Sequence, residues 1–281
     1  MSMALAGIFS ALICASLVLS SCGSVQNYLD PAGPAYAGGS VPADRTAPDS
    51  IRVVTYNVKF ARKVPLAIEE LRRAPGISGA DIILLQEMDS EGVGAVAESL
   101  GLEYLYFPAS VHRSNGKDFG NAILSRWPIG EPRKIVLPHA SPLSDQRRIA
   151  AAATVDAGGL RIRVVSIHTE TLWMSSGKRI EQADSMLQVL SREYAHVIVG
   201  GDFNTPFRSS IEDLEKVFTR RGFRRASDGA DWTAKILPFG LFNVELDHIF
   251  TKGFEPVRSG TWKEAEASDH VPLWALVRPG R

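Results

Sequence analysis

Asp202 and Asn204 stand two apart at the end of the run HVIVGGDFNTP, residues 196–206. On one face of a strand end, a carboxylate and a carboxamide can deprotonate a water and hold an anionic oxygen. The same two residue types also build ordinary turns, and repetition decides between the readings. IRVVTYN ends in Asn57, DIILLQE in Glu87 and IRVVSIH in His168, while VELDHIF carries Asp247 and His248. SDHVPLWALV then sets Asp269 and His270 just before the last apolar run. Strand ends gather at common edges, where ligand sites collect. Oxygen donors such as Glu87, Asp269 and the Asn57 amide suit a hard cation, Mg²⁺ or Mn²⁺. The chain has no G-x-S-x-G elbow, no Walker loop and no G-x-G-x-x-G after a strand, so acyl transfer and nucleotide cradling by those devices are excluded. Its histidines lie far apart and the body lacks cysteine, which excludes a structural zinc site. Hard metal, carboxylate base and anion-facing histidines together describe phosphate-ester hydrolysis.

Strands and helices must position these groups. Helical periodicity marks LAIEELRR (66–73), VGAVAESL (93–100) and RIEQADSMLQVL (179–190). GNAILSR, EPRKIVLP, RRIAAAATVD and LRIRVVSIH read as consecutive strands joined by short turns. The pattern is mixed α/β, with antiparallel runs as well as strand–helix alternation.

TYNV, QEM, GNAILSR, SIH, GGDFN, LDHIF and SDHVPL resemble, in order, the motifs of the endonuclease/exonuclease/phosphatase superfamily, the DNase I-like metal-dependent phosphoesterases. The likeness runs from about residue 51 to residue 278. It implies a four-layer α/β/β/α sandwich with the site at one end of two packed sheets. It also implies that Glu87 is the principal metal ligand, with Asn57 and Asp269 close to the ion, and that Asp202 orients and deprotonates the attacking water. Asn204 would hold a phosphoryl oxygen; His270, set by Asp247, would donate to the phosphate, and His168 would face it from the other side. Asn121 of GNAILSR and Arg148, at the start of RRIAAAATVD, are the candidate substrate contacts. One departure concerns residue 59: several nucleases of the family have an acid two residues after the first Asn, and this chain has Lys59. That puts a second metal position in doubt.

The first 21 residues carry no charged side chain and lead to Cys22 through Leu19-Ser20-Ser21. They read as an export signal and resemble a bacterial lipobox, with Cys22 as the lipidated residue and the cell envelope, or an outer membrane, as destination; the alternative is an uncleaved N-terminal anchor helix. Residues 22–50, rich in Ala, Gly, Pro and Ser, read as a flexible tether, which leaves residues 51–281 as the catalytic domain, expected to act as a monomer.

Thirty-one basic and thirty-one acidic residues balance, although Lys117, Arg126, Arg133, Lys134, Arg147 and Arg148 cluster mid-chain. Between the GDFN and DHIF motifs, DGADWTAKILPFGLFNVE is either a buried hairpin or a loop that stacks on a base or dips into lipid. Three readings result: an Mg²⁺-dependent phosphodiesterase acting on nucleic acid, an enzyme of lipid head groups or small phosphates, and a silent binding module.

Overall fold

The computed structural model describes residues 25–41, 46–112, 116–190, 194–236 and 242–280. The signal segment, Cys22 and the loop residues Leu237, Phe239 and Leu241 lie outside the described residues.

β2 (Ile51–Asn57) and β3 (Ile82–Met88) run parallel at the centre of a seven-stranded sheet of order β1-β4-β5-β3-β2-β15-β14. Its other members are β1 (Tyr36–Gly38), β4 (Glu103–Val111), β5 (Asp118–Ser125), β14 (Phe254–Thr261) and β15 (Leu273–Pro279). A second sheet has six strands in the order β10-β13-β9-β8-β7-β6. It comprises β6 (Ile129–Ala140), β7 (Arg147–Ala157), β8 (Leu160–His168), β9 (His196–Asp202), β10 (Arg224–Arg225) and β13 (Asp247–Lys252). Only β8 and β9 pair parallel there. A small hairpin, β11 (Ala234–Ile236) with β12 (Phe242–Val244), lies beside them.

Alternation along the strands sets the layers. Val53, Ile82 and Leu84 meet Ile162, Val164, Ile198 and Ile249 between the sheets. Their neighbours Val54, Tyr56, Ile83 and Leu85 turn outward onto α1 (Val64–Arg73) and α2 (Ser90–Leu100). Val165, Val199 and Phe250 likewise face α3 (Ser176–Val189) and α4 (Arg208–Thr219), where Phe218 stacks on Phe250 at 3.9 Å. The expected α/β/β/α sandwich is therefore present, built on two mixed sheets.

The helices begin two or three residues before the apolar periodicity does. At α2 the reason is Asp89, whose carboxylate accepts from Gly92 N at 2.6 Å and caps the first turn. Arg220 closes α4, and Arg224 and Arg225 pair with β13.

The tether reading fails for residues 25–38. Val25 is buried, Asn27 bridges Ser110, and β1 adds an edge strand to β4. Lys134, buried in β6, donates to the carbonyls of Tyr28 at 3.2 Å and Gly33 at 2.5 Å. Backbone pairing and this ammonium hold the segment as a strap, although its composition is that of a linker.

Candidate active site

Both sheets bring their functional strand ends to one edge. Asn57 lies opposite Gln86 in the parallel β2–β3 pair, and His168 lies opposite Asp202 in β8–β9. Antiparallel β13 starts at the same edge, with Asp247 opposite Asp202. The two glycines before Asp202 allow this closeness. A Cβ on Gly201 would lie 1.8 Å from the Ile167 carbonyl oxygen, and one on Gly200 would lie 2.7 Å from Leu84 of the other sheet.

Asp202 Oδ2 is the hub. Asn57 Nδ2 donates to it at 3.1 Å, His168 Nε2 stands at 3.4 Å and His270 Nε2 at 3.7 Å. Oδ1 accepts from the Asn204 backbone N–H at 2.9 Å. Burial disfavours the charged carboxylate, and Asp247 adds to that against the opposing pull of His270, so the Asp202 carboxyl is pushed up to about 7.

The two histidines differ in charge. His270 Nδ1 meets Asp247 Oδ2 at 2.7 Å. Burial works against its charged form, yet Asp247, Asp202 and Asp269 outweigh it and lift the imidazole to about 10. His168 is held well below its ordinary value by burial, then by the charges of Arg148 and His270. Arg148 Nη1 lies 3.1 Å from His168 Nδ1. A guanidinium only donates, so Nδ1 accepts and the imidazole proton sits on Nε2, aimed at Asp202.

Glu87 arrives by a β-bulge. Between the pairs Leu85–Ala122 and Met88–Gly120, Gln86 and Glu87 oppose the single residue Asn121. Glu87 has φ 57°; its Oε1 accepts from Asn57 Nδ2 at 3.2 Å and lies 3.9 Å from His168 Nε2. Burial raises its pKa, partly opposed by Arg148, Asn57 and His270. Asn204, also left-handed at φ 51°, donates through Nδ2 to Thr169 O at 3.3 Å.

Asn57 has its partners within the fold, and three sequence expectations are corrected. Asn57 turns its nitrogen to Glu87 and Asp202, while its oxygen accepts from Lys59 N at 3.0 Å. In this arrangement it holds the carboxylates of Glu87 and Asp202 together at the catalytic edge. Asn121 donates to the carbonyls of Ile149 at 2.9 Å and Ser166 at 3.2 Å. Its two N–H groups clamp the sheets together, leaving no donor for substrate. Arg148 is buried behind His168, with Glu170 Oε1 at 3.5 Å, and orients that histidine instead of meeting substrate. Finally, the mid-chain basic cluster is dispersed. Lys117 pairs with Asp89 and Glu91, Arg126 with Asp81, and Arg133 donates to Val189 O. Lys134 secures the strap and Arg147 donates to Leu137 O.

Lys59 reaches the site. Residues 59–61 take φ 39°, 57° and 51°, and the turn brings Lys59 Nζ to 2.7 Å from Asp269 Oδ2. Burial raises the Asp269 carboxyl, but His270 and Lys59 outweigh it and leave its pKa lowered.

Asp202, Asp247 and His270 form a buried group whose ligand atoms all lie within 4.8 Å of one another, consistent with a metal site. Asp247 Oδ1 is buried without a hydrogen-bond partner. Glu87 and Asp269 lie at the same edge and add carboxylate oxygens to that group of two carboxylates and one imidazole nitrogen.

Sequence reading missed the groups beneath the site. Gln86 Nε2 donates to Ser166 Oγ at 3.0 Å and Ser166 Oγ to Leu85 O at 3.1 Å, tying the two sheets. Arg179, buried in α3, donates to the carbonyls of Thr171 and Met174 and feels the Asp202 charge. For Gln86 and Ser166 the only signal is polarity inside an otherwise apolar strand, and Arg179 has none on its polar helix. His248, beside Asp247 in sequence, faces the other way and meets Thr205 Oγ1 at 2.8 Å among Phe203 and Phe250.

Residues 54–270 match the model of the Endonuclease/Exonuclease/phosphatase family. A UPF0294 protein of Vibrio vulnificus is 25% identical over 115 residues, 41% of this chain and 39% of that relative, so the chain spans well under half of it. Among solved structures, an endonuclease/exonuclease/phosphatase from Beutenbergia cavernae superposes with a TM-score of 0.64 at 19% identity, covering 83% of this chain and 72% of the other. A mannosyl-6-phosphatase of Bacteroides thetaiotaomicron gives 0.59 at 19% identity, over 81% and 99%. D. rerio TDP2 complexed with single strand DNA product gives 0.63 at 15% identity, over 82% and 100%.

Proposed function

Since the chain belongs to the Endonuclease/Exonuclease/phosphatase family, we propose that it is a phosphoric ester hydrolase and that its substrate is a phosphodiester cleaved by in-line attack of water. The observation that carries this is Asp202 Oδ2, flanked by His168 Nε2 at 3.4 Å and His270 Nε2 at 3.7 Å. Asp202 accepts a proton from the attacking water as the new P–O bond forms. His270, held protonated by Asp247, gives its Nε2 proton to the departing ester oxygen as the old P–O bond breaks. His168 donates its Nε2–H to a phosphoryl oxygen from the opposite side, and Asn204 donates its remaining amide hydrogen. These donors are fixed before reaction, where negative charge develops. Glu87 and Asp269 would hold Mg²⁺ or Mn²⁺, which when bound supplies Lewis-acid stabilisation of the phosphoryl group.

The dispersal of the basic cluster favours a substrate other than a polyanion, since a nucleic acid calls for a basic face. The sequence features of residues 1–22 support export and acylation on Cys22, with the bacterial envelope as the place of action. A second reading, a nucleic-acid end, is favoured by an aromatic row leading away from His168. Phe119 lies 6.0 Å from it, Phe60 5.7 Å from Phe119, and His112 4.1 Å from Phe60. Phe119 is buried, so only the half-buried Phe60 and His112 could stack on a base; the TDP2 structure holds single-stranded DNA product.

Bis(p-nitrophenyl) phosphate, p-nitrophenyl phosphate and supercoiled plasmid, each with Mg²⁺ and with chelator, separate these readings. Chelator-sensitive turnover of the diester with intact plasmid supports the proposal. Chelator-sensitive nicking transfers it to nucleic acid, and turnover of the monoester alone rejects a diesterase.

A further inference from the structure

Large hydrophobic side chains that face water are unevenly distributed. Among the described residues eight are exposed, and five of them, Leu143, Leu172, Trp173, Phe207 and Phe242, lie in the loops or hairpin at the catalytic edge. Leu143 lies between β6 and β7, joined at this edge by the Ala140–Arg147 pair. Leu172 and Trp173 follow His168, and Phe207 follows Asn204. Phe242 belongs to the hairpin that leads into Asp247. Trp173 is 74% exposed and Phe207 67%. Apolar side chains rimming a polar catalytic mouth mark a surface that meets another phase or partner.

The strap indicates which. Its first described residue, Val25, donates through N to Ser144 O at 3.4 Å, next to Leu143. Asn27 Nδ2 donates to Asp145 O at 2.8 Å and Asn27 Oδ1 accepts from Arg147 N at 2.7 Å, both on the same β6–β7 turn. From there the chain runs away from the edge to β1. The uncharged residues 1–21 and Cys22 therefore join the body at the catalytic edge. Cys22 to Val25 is three residues, a reach of at most about 10 Å at 3.3–3.6 Å per residue. A slack tether of the whole 22–50 segment would leave orientation free; this short link does not.

We infer that the catalytic edge docks on a lipid bilayer, with Trp173, Phe207 and Leu143 inserted at its surface, so that the site meets a phosphodiester in the plane of the membrane. This rests on the phosphodiesterase reading. Apolar insertion adds to anchoring at the N-terminus, and the two together hold an enzyme on lipid far more firmly than either does.

The test uses the full chain purified from membranes and reconstituted in phosphatidylcholine vesicles with brominated acyl chains. Quenching of tryptophan fluorescence is compared between wild type and Trp173→Phe. The expected result is a quenched component that falls at least about two-fold in the variant. Equal quenching in both overturns the inference, because an anchored body held off the surface leaves Trp173 in water. Shielding of Trp173 from both acrylamide and bromine overturns it too, since a second copy or residues 1–21 then cover the rim. Trp173→Ser/Phe207→Ser is expected to hydrolyse soluble bis(p-nitrophenyl) phosphate at the wild-type rate and a vesicle phospholipid about ten-fold more slowly. Equal rates on vesicles count against docking. Wild type that quenches but leaves every diester intact rejects the phosphodiesterase reading alone.

Discussion

His168 and His270 approach one carboxylate, Asp202, from two sides, and their surroundings set them to opposite charge. Behind His168 stands a buried guanidinium, so its imidazole is neutral and its proton is fixed on Nε2. Behind His270 stands a buried carboxylate, so its imidazole carries a charge up to about pH 10. Both are buried, and burial alone would neutralise both. At His168 burial prevails and Arg148 adds to it, whereas at His270 Asp247, with Asp202 and Asp269, overrides burial: one histidine becomes a fixed hydrogen-bond donor, the other a proton donor.

The largest effect should come from removing what the two share. Asp202→Ala is expected to lower kcat on a soluble phosphodiester by 10² to 10⁴-fold, roughly the contribution of a positioned base. Its urea midpoint should not fall, because a buried carboxyl of raised pKa is lost with it; a kcat within five-fold of wild type would dismiss Asp202 as base. Next, Asp247→Asn deprives His270 of its charge partner. The alkaline limb of the pH–rate profile, expected near pH 10 in wild type, should move down toward neutrality, with roughly 10²-fold lost at pH 8. An unmoved limb would mean that His270 does not set it. Arg148→Met should be milder, about ten-fold in kcat. Its diagnostic is NMR: the His168 ring should begin to titrate upward of its wild-type value, because one of the two charges opposing protonation is gone.

The smallest effect is on stability. The folded-state pKa values of His270 and Asp202 are both raised, so each group binds its proton more tightly in the folded protein. The His270 contribution is full below its ordinary 6.5 and is lost as pH rises through about 10. The Asp202 contribution is full below 3.8 and is lost as pH rises through about 7. Urea midpoints at pH 6, 8 and 10 should therefore decline in that order in wild type, and Asp247→Asn should flatten the step from 8 to 10.

The contrast was half legible in sequence. Strand-terminal His168, Asp202, Asp247 and His270 announced themselves because a polar residue closing an apolar run has few reasons to be there. The partner of His270 is legible through the family resemblance, which implies that Asp247 sets it. The partner of His168 was not: Arg148 reads as one more cation on a strand, and only the β7–β8 register puts it against Nδ1. Asn121 reads as a substrate contact in the sequence because the direction of a carboxamide is set by neighbours on other strands. The strap was missed for a related reason. Its Ala, Gly and Pro content carries no period, and its order comes from backbone pairing to β4 and from Lys134, over one hundred residues away.

The left-handed φ values of Glu87 and Asn204 bear on how this molecule would drift. A non-glycine residue held there is strained by about 1–3 kcal/mol, and here two such residues close the catalytic strands. Glycine at either position would relax the backbone and leave the sheets intact. A laboratory lineage selected for heat tolerance alone would therefore be rewarded for erasing the site, and only a screen that also demands turnover would keep the carboxylate and the carboxamide where they are.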